Sequence, residues 1–218
     1  MDTLEPGDRQ VGHRLLHGKA SSRVYYSDRC LYGHDYLLAK IEPIVAAARP
    51  IRIFDLGCGN GSIANRLSKH ASVTGIDISD SGVQIANRSF PHLKIEVGSV
   101  YDDLAAKYSR FPVVVSLEVV EHLFDPPSFA KTLFDLVPGG LAIVSTPYHG
   151  YWKNLAISLT GKFDSHFTAL RIGGHIKFWS IHTLRTLLIE AGFTEIEFLR
   201  VGRIPVLAKS MIAIARKS

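Results

Sequence analysis

The chain has 218 residues and a formal net charge of +5, with 46% hydrophobic and 21% charged residues. These proportions are typical of a globular protein and exclude an intrinsically disordered chain. Its two cysteines, Cys30 and Cys58, are too few for a disulfide framework. No apolar run approaches the about 20 residues that a membrane span requires, and the first residues do not resemble a signal peptide. We therefore expect a cytoplasmic protein.

The charge is unevenly distributed along the chain. Residues 151–218 carry ten basic and four acidic side chains, whereas residues 51–150 carry eight basic and ten acidic ones. A basic segment suits an acidic substrate, a phosphate-bearing substrate or nucleic acid. The basic residues are scattered and form no run, which is equally typical of a solvated surface.

Short apolar runs rich in β-branched residues alternate with helical patterns between residues 51 and 146. Helices are predicted at Ser62–Lys69, Ser79–Arg88 and Ser128–Val137, with Ser128 as the N-cap of the third. This alternation predicts a mainly parallel sheet with helices on both faces. The predicted strands are Ile51–Asp55, Val73–Asp77, Leu93–Val97, Val113–Leu117 and Leu141–Thr146.

Further elements flank this alternating region. A helix is predicted at Arg29–Ala48, ended by Pro50, and Ser180 is expected to cap a later helix that ends at Gly192. Two final strands, joined through a turn, are predicted at Thr194–Val201 and Met211–Ala215.

An insertion at residues 147–179 separates the fifth strand from the last helix and contains seven aromatic side chains. Insertions of this length in compact domains are typical of lids and binding loops. A small helical subdomain over Lys153–Leu159 is a compatible alternative. We therefore expect one domain over residues 1–218. Its parts are an N-terminal helical segment (1–50), a cofactor-binding core (51–146), an aromatic lid (147–179) and a C-terminal helix with a strand pair (180–218).

Three glycines at alternating positions, Gly57, Gly59 and Gly61, connect the first predicted strand to a helix. Such glycines permit positive φ and let a ligand approach the backbone. Dinucleotide-binding enzymes require the third small residue one position later, where this chain has Ser62. Asp55 stands two residues before the first glycine. Its carboxylate disfavours a pyrophosphate and suits a cation such as an amino group or a sulfonium.

The ends of the next three strands carry further polar groups. The carboxylate of Asp77 can accept two hydrogen bonds from the vicinal hydroxyls of a ribose. Ser99 and Val100 follow the third strand, where a hydroxyl and a backbone amide can contact an adenine edge. Glu118 follows the fourth strand. Together these strand ends predict a crevice for a nucleoside that carries an amino acid.

In their order and spacing, DLGCGNG (55–61), GIDIS (75–79) and SLEVVEHL (116–123) resemble class I S-adenosylmethionine-dependent methyltransferases. The most similar group contains the ubiquinone-biosynthesis O-methyltransferases. The resemblance covers residues 45–146 well and extends more loosely to Phe193. It implies an α/β, Rossmann-like sheet of seven mostly parallel strands whose last strand is antiparallel, with S-adenosylmethionine as the cofactor.

The resemblance also implies roles for individual residues. Asp55 and Gly57 are expected to face the methionine part of the cofactor, Asp77 the ribose, and Ser99 with Val100 the adenine. Many relatives carry an acidic residue at the position of Ser99. The full set of expected cofactor-binding residues is Asp55, Gly57, Cys58, Gly59, Gly61, Asp77, Ile78, Ser99, Val100, Leu117 and Glu118.

Methyl transfer to a phenol or enol requires a base that removes the hydroxyl proton. His122, at the end of the fourth strand, and His175, in the lid, are the candidate catalytic residues. Glu118, Glu121 and His122 would share one face of a helix and could hold Mg²⁺. Metal-free relatives carry nearly the same residues there, so no metal ligand is assigned.

These patterns favour a small-molecule methyltransferase that acts on an oxygen of an aromatic or enolic acceptor. The lid and the N-terminal residues Tyr25 and Tyr26 are expected to close over that acceptor. A small-molecule partner is favoured over nucleic acid. The alternatives are an RNA-end (ribose) methyltransferase, suggested by the basic last third, and a noncatalytic nucleoside-binding protein.

Overall fold

A single seven-stranded sheet dominates the computed structural model, which describes residues 34–167, 169–171 and 173–217. The strands are β1 (Arg52–Leu56), β2 (Ser72–Asp77), β3 (Lys94–Val97), β4 (Val113–Leu117), β5 (Leu141–Pro147), β6 (Glu195–Val201) and β7 (Ser210–Arg216). The strand order is β3-β2-β1-β4-β5-β7-β6, and β7 runs antiparallel to both of its neighbours while the other six strands are parallel. The predicted Rossmann-like sheet with an antiparallel last strand is therefore confirmed.

Helices cover both faces of this sheet, as predicted. The helices are α1 (Asp35–Ala48), α2 (Ser62–Leu67), α3 (Asp80–Ser89), α4 (Leu104–Tyr108), α5 (Pro126–Leu136), α6 (Tyr151–Leu159), α7 (Phe163–Phe167) and α8 (Ile181–Glu190). One hydrophobic core joins the sheet to α4, α5 and α8 through side chains such as Leu104, Leu133 and Leu188. The other joins it to α1, α2 and α3.

Two helix starts differ from the sequence-based expectation. Ser128 is not the N-cap of α5, because the helix begins two residues earlier at Pro126 and the Asp125 carboxylate accepts from the Ser128 N–H at 3.2 Å. Proline suits the first helical turn, since that position needs no backbone N–H. The short helix α4 was not predicted, and Asp103 caps it.

The cap of α8 agrees with the expectation, since Ser180 caps this helix and forms a reciprocal capping box with Thr183. The lid differs, because it contains two helices, α6 and α7, where only a segment of α6 was predicted. The start of the first predicted helix at Arg29, together with Cys30 and the tyrosines at 25 and 26, lies outside the described residues. Within the described part of the chain, every helix is too short or too polar to cross a bilayer.

Candidate active site

The carboxyl ends of the parallel strands surround a cavity of about 670 Å³, a volume typical of small-molecule sites. Its wall is built mainly from the loops that follow β1, β2, β3 and β4. It contains nine of the expected cofactor-binding residues and the candidate base His122. The nine are Gly57, Cys58, Gly59, Asp77, Ile78, Ser99, Val100, Leu117 and Glu118.

The glycine loop presents backbone to this cavity. The N–H groups of Gly57 and Cys58 both donate to the Ile76 carbonyl oxygen at 2.9 Å, which fixes the loop on the end of β2. Gly57 has φ +89°, and a Cβ there would lie 2.5 Å from Cγ2 of Val119. Only glycine therefore fits, because a side chain would meet both backbone strain and a steric clash.

Asp77 is held in place by two backbone groups. One carboxylate oxygen accepts from the Gly59 N–H and the other from the Ser79 N–H, each at 2.8 Å. The Asp77 carboxylate lies in the cavity wall, and carboxylate oxygens accept hydrogen bonds from hydroxyl groups. Its contact with a ribose stays a prediction.

Ser99 lies in a tight turn at the end of β3. Its hydroxyl accepts from the Tyr101 N–H at 3.2 Å, and its own N–H donates to Asp102 at 2.9 Å. Tyr101 also lines the cavity, and its hydroxyl accepts from the Asp125 N–H at 3.1 Å. The turn places an aromatic ring beside the expected adenine position.

Two of the expected cofactor residues lie outside the cavity wall. Asp55 is 1% exposed, within β1, where it is paired with Gly75 and Val115 in the middle of the sheet. Burial, and secondarily the charge of Asp77, raise the pKa of Asp55 to about 7. Gly61 turns towards α3, where a Cβ would lie 2.9 Å from that of Ala86. Neither residue is part of the cavity wall, and cofactor contact stays a prediction for both.

Glu118 occupies the junction of β4 with the cavity in a left-handed conformation, with φ +58°. Its N–H donates to the carbonyl and the hydroxyl of Ser145, both at 3.1 Å, and Ser145 Oγ donates back to Oε1 at 2.9 Å. Ser210 Oγ donates to Oε2 of Glu118 at 3.4 Å. Because this uses the one hydroxyl proton of Ser210, the Tyr36 hydroxyl is the donor in the 2.7 Å hydrogen bond between Tyr36 and Ser210. Burial raises the pKa of Glu118 to about 7, against the opposing effect of the serine hydrogen bonds.

The expected helical face of Glu118, Glu121 and His122 does not form. Only Val120–His122 turns, as a single 3-10 helix, and Glu118 points to the serines instead. The group that comes together is Glu121, His122 and His175, whose ligand atoms all lie within 4.8 Å of one another. His175 reaches the group from the lid, and its ring centroid lies 4.9 Å from that of His122.

Glu121 is the buried member of this group. It is 1% exposed, and neither carboxylate oxygen has a hydrogen-bond partner among the described residues. Oε1 lies 3.9 Å from Nε2 of His122 and 4.0 Å from Nε2 of His175. Burial, and next the charge of Glu118, raise the pKa of Glu121 well above its usual value.

The two imidazoles have distinct surroundings. Nδ1 of His122 lies 3.2 Å from the Gly174 carbonyl oxygen, which can only accept, so Nδ1 carries a proton, and in the neutral ring Nε2 offers its lone pair. Burial, followed by the proximity of His122, lowers the pKa of His175 to about 4. His175 is therefore neutral near pH 7. Two imidazole nitrogens and one carboxylate can accept a proton or bind a divalent cation.

The cavity also has wall residues that the sequence reasoning missed. Most of these missed residues directly follow a predicted motif in the sequence, so extending each predicted strand-end loop by one turn would have included them. His34 and Gly173 come from distant segments, for which no local signal exists. The missed residues are His34, Asn60, Ser62, Ile63, Ser79, Tyr101, Val119, Leu123, Phe124 and Gly173.

A family profile described as a methyltransferase domain matches residues 31–197. The chain belongs to the methyltransferase domain family. This membership confirms the class predicted from the motifs, an S-adenosylmethionine-dependent methyltransferase. The cavity fits that cofactor, since its wall combines a backbone-lined glycine loop with the anchored carboxylate of Asp77.

Relatives of this methyltransferase domain include curated enzymes. The ubiquinone biosynthesis O-methyltransferase of Bradyrhizobium diazoefficiens is 34% identical over 115 residues, which are 51% of this chain and 45% of the relative. The enzyme of the same name from Alkalilimnicola ehrlichii is 39% identical over 101 residues, 44% and 41% of the two chains. The chain thus spans about half the length of these relatives.

Solved structures share the fold at lower identity. Magnesium protoporphyrin IX methyltransferase from Synechocystis PCC 6803, solved with bound SAH, has a TM-score of 0.63 and 19% identity, covering 90% of this chain and 92% of that one. The methyltransferase domain of bacterial CtHen1 has a TM-score of 0.64 and 21% identity, covering 84% and 97%.

Proposed function

We propose that this methyltransferase transfers the S-adenosylmethionine methyl group to a hydroxyl oxygen of a small aromatic or enolic acceptor. The observation that carries the proposal is the group of Glu121, His122 and His175 at the end of the cofactor cavity, where His122 forms part of the wall. The names of the curated relatives, ubiquinone biosynthesis O-methyltransferases, support the same acceptor chemistry.

The reaction is an in-line displacement at the sulfonium methyl carbon. The acceptor oxygen forms a bond to this carbon while the carbon–sulfur bond breaks, and S-adenosylhomocysteine leaves. The hydroxyl proton passes to an imidazole. His122 is the candidate acceptor of this proton because Nδ1 is bonded to the Gly174 carbonyl oxygen and Nε2 is the nitrogen left to take it, and the neutral His175 is the second candidate.

The remaining residues of the proposed site position the two substrates. Asp77 would hold the ribose, and Glu118, fixed by Ser145 and Ser210, would orient the methionine end. The lid at residues 147–179 would cover the acceptor, because it contributes His175 to the cluster.

The same cluster also fits a divalent cation. Among the described residues the buried Glu121 carboxylate has no hydrogen-bond partner, and with the two imidazole nitrogens beside it forms a donor set that a divalent metal such as Zn²⁺ can use. When bound, the cation would lower the pKa of an acceptor hydroxyl. Glu121, His122 and His175 would hold it, whereas Glu118 is committed to the serines.

Isotope-labelled S-adenosylmethionine tests the proposal directly. The protein is incubated with catechol, with a small-molecule extract and with total RNA, each with EDTA or with Mg²⁺, and the labelled products are identified by mass spectrometry. We expect label on a small-molecule hydroxyl. Label only on RNA would instead establish the RNA-end alternative, and no transfer to any acceptor would support a noncatalytic nucleoside-binding protein.

A matched pair of variants tests the assigned base. We expect His122→Asn to lower kcat by about 10²-fold or more, the usual contribution of a general base, with S-adenosylhomocysteine affinity nearly unchanged. His182→Asn is the control, because His182 is exposed on α8. Equal losses in turnover and in cofactor affinity for His122→Asn would remove the residue from the chemistry.

A further inference from the structure

A chain of hydrogen bonds connects α1 to the Glu118 carboxylate in the cavity wall. The Tyr36 hydroxyl, on α1, donates to Ser210 Oγ at 2.7 Å, and Ser210 Oγ donates to Oε2 of Glu118 at 3.4 Å. Ser145 Oγ donates to the other carboxylate oxygen, Oε1, at 2.9 Å. Every proton in this chain is thus directed towards Glu118. Tyr36, at its far end, has no part in the reaction described so far.

The start of α1 lies beside the cavity. His34 immediately precedes the helix and forms part of the cavity wall. Contacts that do not involve Tyr36 hold the helix there, because Leu37 and Ile41 are buried in the core and Arg66 of α2 donates to Glu42 at 2.9 Å. Tyr36 therefore extends its hydroxyl from a fixed helix, and removal of that hydroxyl should leave α1 in place.

The hydrogen bond from Tyr36 supports the one from Ser210 to Glu118. Ser210 is 2% exposed, and successive hydrogen bonds in a buried site polarise and strengthen one another. The distance of 3.4 Å between Ser210 Oγ and Oε2 of Glu118 exceeds the about 2.7–2.8 Å typical of hydroxyl donors. This second hydrogen bond is therefore weak on its own and gains from the shorter one that precedes it.

Glu118 has a defined orientation because it is held from two strands. Its φ of +58° costs free energy in a residue with a Cβ, and the hydrogen bonds of its N–H to Ser145 offset that cost. One carboxylate oxygen is bonded to β5 and the other to β7. Hydroxyl donors also favour the ionised form of a carboxylate. The result is an oriented negative charge in the cavity wall, which suits a cationic group of a ligand.

We propose that Tyr36 is a positioning residue of the cofactor site, which acts through Ser210 to orient the Glu118 carboxylate towards the ammonium group of the cofactor's methionine part. This inference rests on the proposed placement of Glu118 at the methionine end. Tyr36 itself is not part of the cavity wall, so its effect on the cofactor is indirect. The hydroxyl would make cofactor affinity depend on how α1 is packed against the sheet.

Two ligands that differ only in one amino group test this inference. Titration calorimetry measures the binding of S-adenosylhomocysteine and of its deaminated analogue, which has a hydrogen in place of the amino group. The wild type should bind S-adenosylhomocysteine more tightly by about 10-fold or more, the scale of a charge-assisted hydrogen bond. We expect Tyr36→Phe to weaken S-adenosylhomocysteine binding by about fivefold, the scale of one hydrogen bond, and to leave binding of the analogue unchanged.

Tyr108→Phe is the matched control for this variant. The Tyr108 hydroxyl also donates to a carboxylate, that of Glu96 at 2.7 Å, and neither residue forms part of the cavity wall. We expect Tyr108→Phe to bind both ligands as the wild type does. Equal weakening of both ligands in Tyr36→Phe would show a general structural effect and would overturn the inference.

A double-mutant cycle tests whether Tyr36 acts through Ser210. Ser210→Ala should weaken S-adenosylhomocysteine binding at least as much as Tyr36→Phe does. The two changes together should weaken it no more than Ser210→Ala alone, because residues in one hydrogen-bond network are not independent. Fully additive losses in the folded double variant would overturn the inference.

Glu118→Gln separates failure of this inference from failure of the placement on which it rests. The preference for S-adenosylhomocysteine over the analogue should be largely lost in this variant. A preference that is lost in Glu118→Gln but fully kept in folded Tyr36→Phe would overturn the inference alone, whereas one kept in both variants would also contradict the placement of Glu118. These binding measurements use no acceptor, so the proposed hydroxyl methylation is tested separately.

Discussion

Asp77 is the residue whose loss should most affect cofactor binding. We expect Asp77→Ala to weaken S-adenosylhomocysteine binding by about 1–3 kcal/mol, because polar groups of the ribose would lose their acceptor. Asp80→Ala, which removes an exposed carboxylate from the first turn of α3, should leave the affinity nearly unchanged. Titration calorimetry on both variants checks this, with circular dichroism to confirm folding. Unchanged affinity in Asp77→Ala would contradict the ribose assignment.

A comparison of alanine variants at Gly57 and Gly139 separates the cost of backbone strain from the cost of a steric clash. Both have positive φ, but a Cβ at Gly57 would lie 2.5 Å from Val119, whereas nothing lies within 4 Å of one at Gly139. Each alanine variant should lose about 1–2 kcal/mol of unfolding free energy from strain. We expect Gly57→Ala to lose more and also to lose cofactor affinity, with partial recovery on adding Val119→Ala. Equal losses at the two glycines, measured by denaturant titration, would refute the steric argument.

Asp55 should make the stability of the ligand-free protein depend on pH. Its folded pKa of about 7 lies above its ordinary value of 3.8, so the folded state binds more protons than the unfolded state between these values. Stability therefore falls as pH rises through this window, and the loss is complete above the folded pKa. We expect Asp55→Asn to gain up to about 4 kcal/mol relative to wild type between pH 4 and pH 8. Urea unfolding at both values tests this, and a constant difference would argue against a perturbed Asp55.

At the scale of elements, the sheet was predictable because its strands are continuous apolar runs, as burial on both faces requires. All five residues of β4 are buried, and its bounds match the prediction. The strand-end motifs then located the cavity, since the carboxyl ends of parallel strands meet on one edge.

The parts that could not be predicted depend on contacts between distant segments. Glu118 leaves the expected helical face because Ser145 and Ser210, on β5 and β7, bond both of its carboxylate oxygens. His175 joins Glu121 because the N–H groups of Ile176 and Lys177 donate to the Glu121 carbonyl oxygen at 2.9 and 3.0 Å, which attaches the lid to the end of β4. No local pattern in the sequence encodes either pairing.

The lid should influence the acceptor more than the cofactor. Phe167 packs against His149, Phe163 and Phe178, while Gly173 is the one residue from the insertion that lines the described cavity. We expect Phe167→Ala to raise the acceptor KM by about 10-fold, the scale of a lost aromatic pair, with little change in S-adenosylhomocysteine affinity. Leu170→Ala is the control, since Leu170 is 98% exposed. A parallel loss of cofactor affinity in Phe167→Ala would instead assign the cluster to the cofactor site.

At the scale of the whole molecule, several basic side chains of the segment 151–218 contact aromatic rings of the same chain. Their side chains lie over aromatic rings at 3.8–5.9 Å, which favours the surface interpretation over a nucleic-acid interface. The residues are Arg185 over Phe198, Arg200 over Tyr148, Lys209 over Tyr36 and Lys217 over Phe134.

The salt dependence of activity should reflect this arrangement. A small acceptor with at most one charge should lose no more than about threefold in kcat/KM between 50 and 300 mM KCl, whereas an RNA acceptor held by several phosphates would lose about 10²-fold or more. Rates measured with catechol across this range check the expectation. A steep logarithmic slope with this acceptor would contradict it.

The place of β7 between β5 and β6 has a consequence for biosynthesis. Among the described strands, β6 pairs with β7 alone, and β6 precedes β7 in the chain. A growing chain that has exposed β6 but not yet β7 therefore carries an unpaired strand and an open edge on β5, both of which can associate with other chains. Once residues 210–216 are available, β7 pairs with β5 and with β6 and covers both edges. The growing chain is therefore exposed to misassembly until this segment has been made.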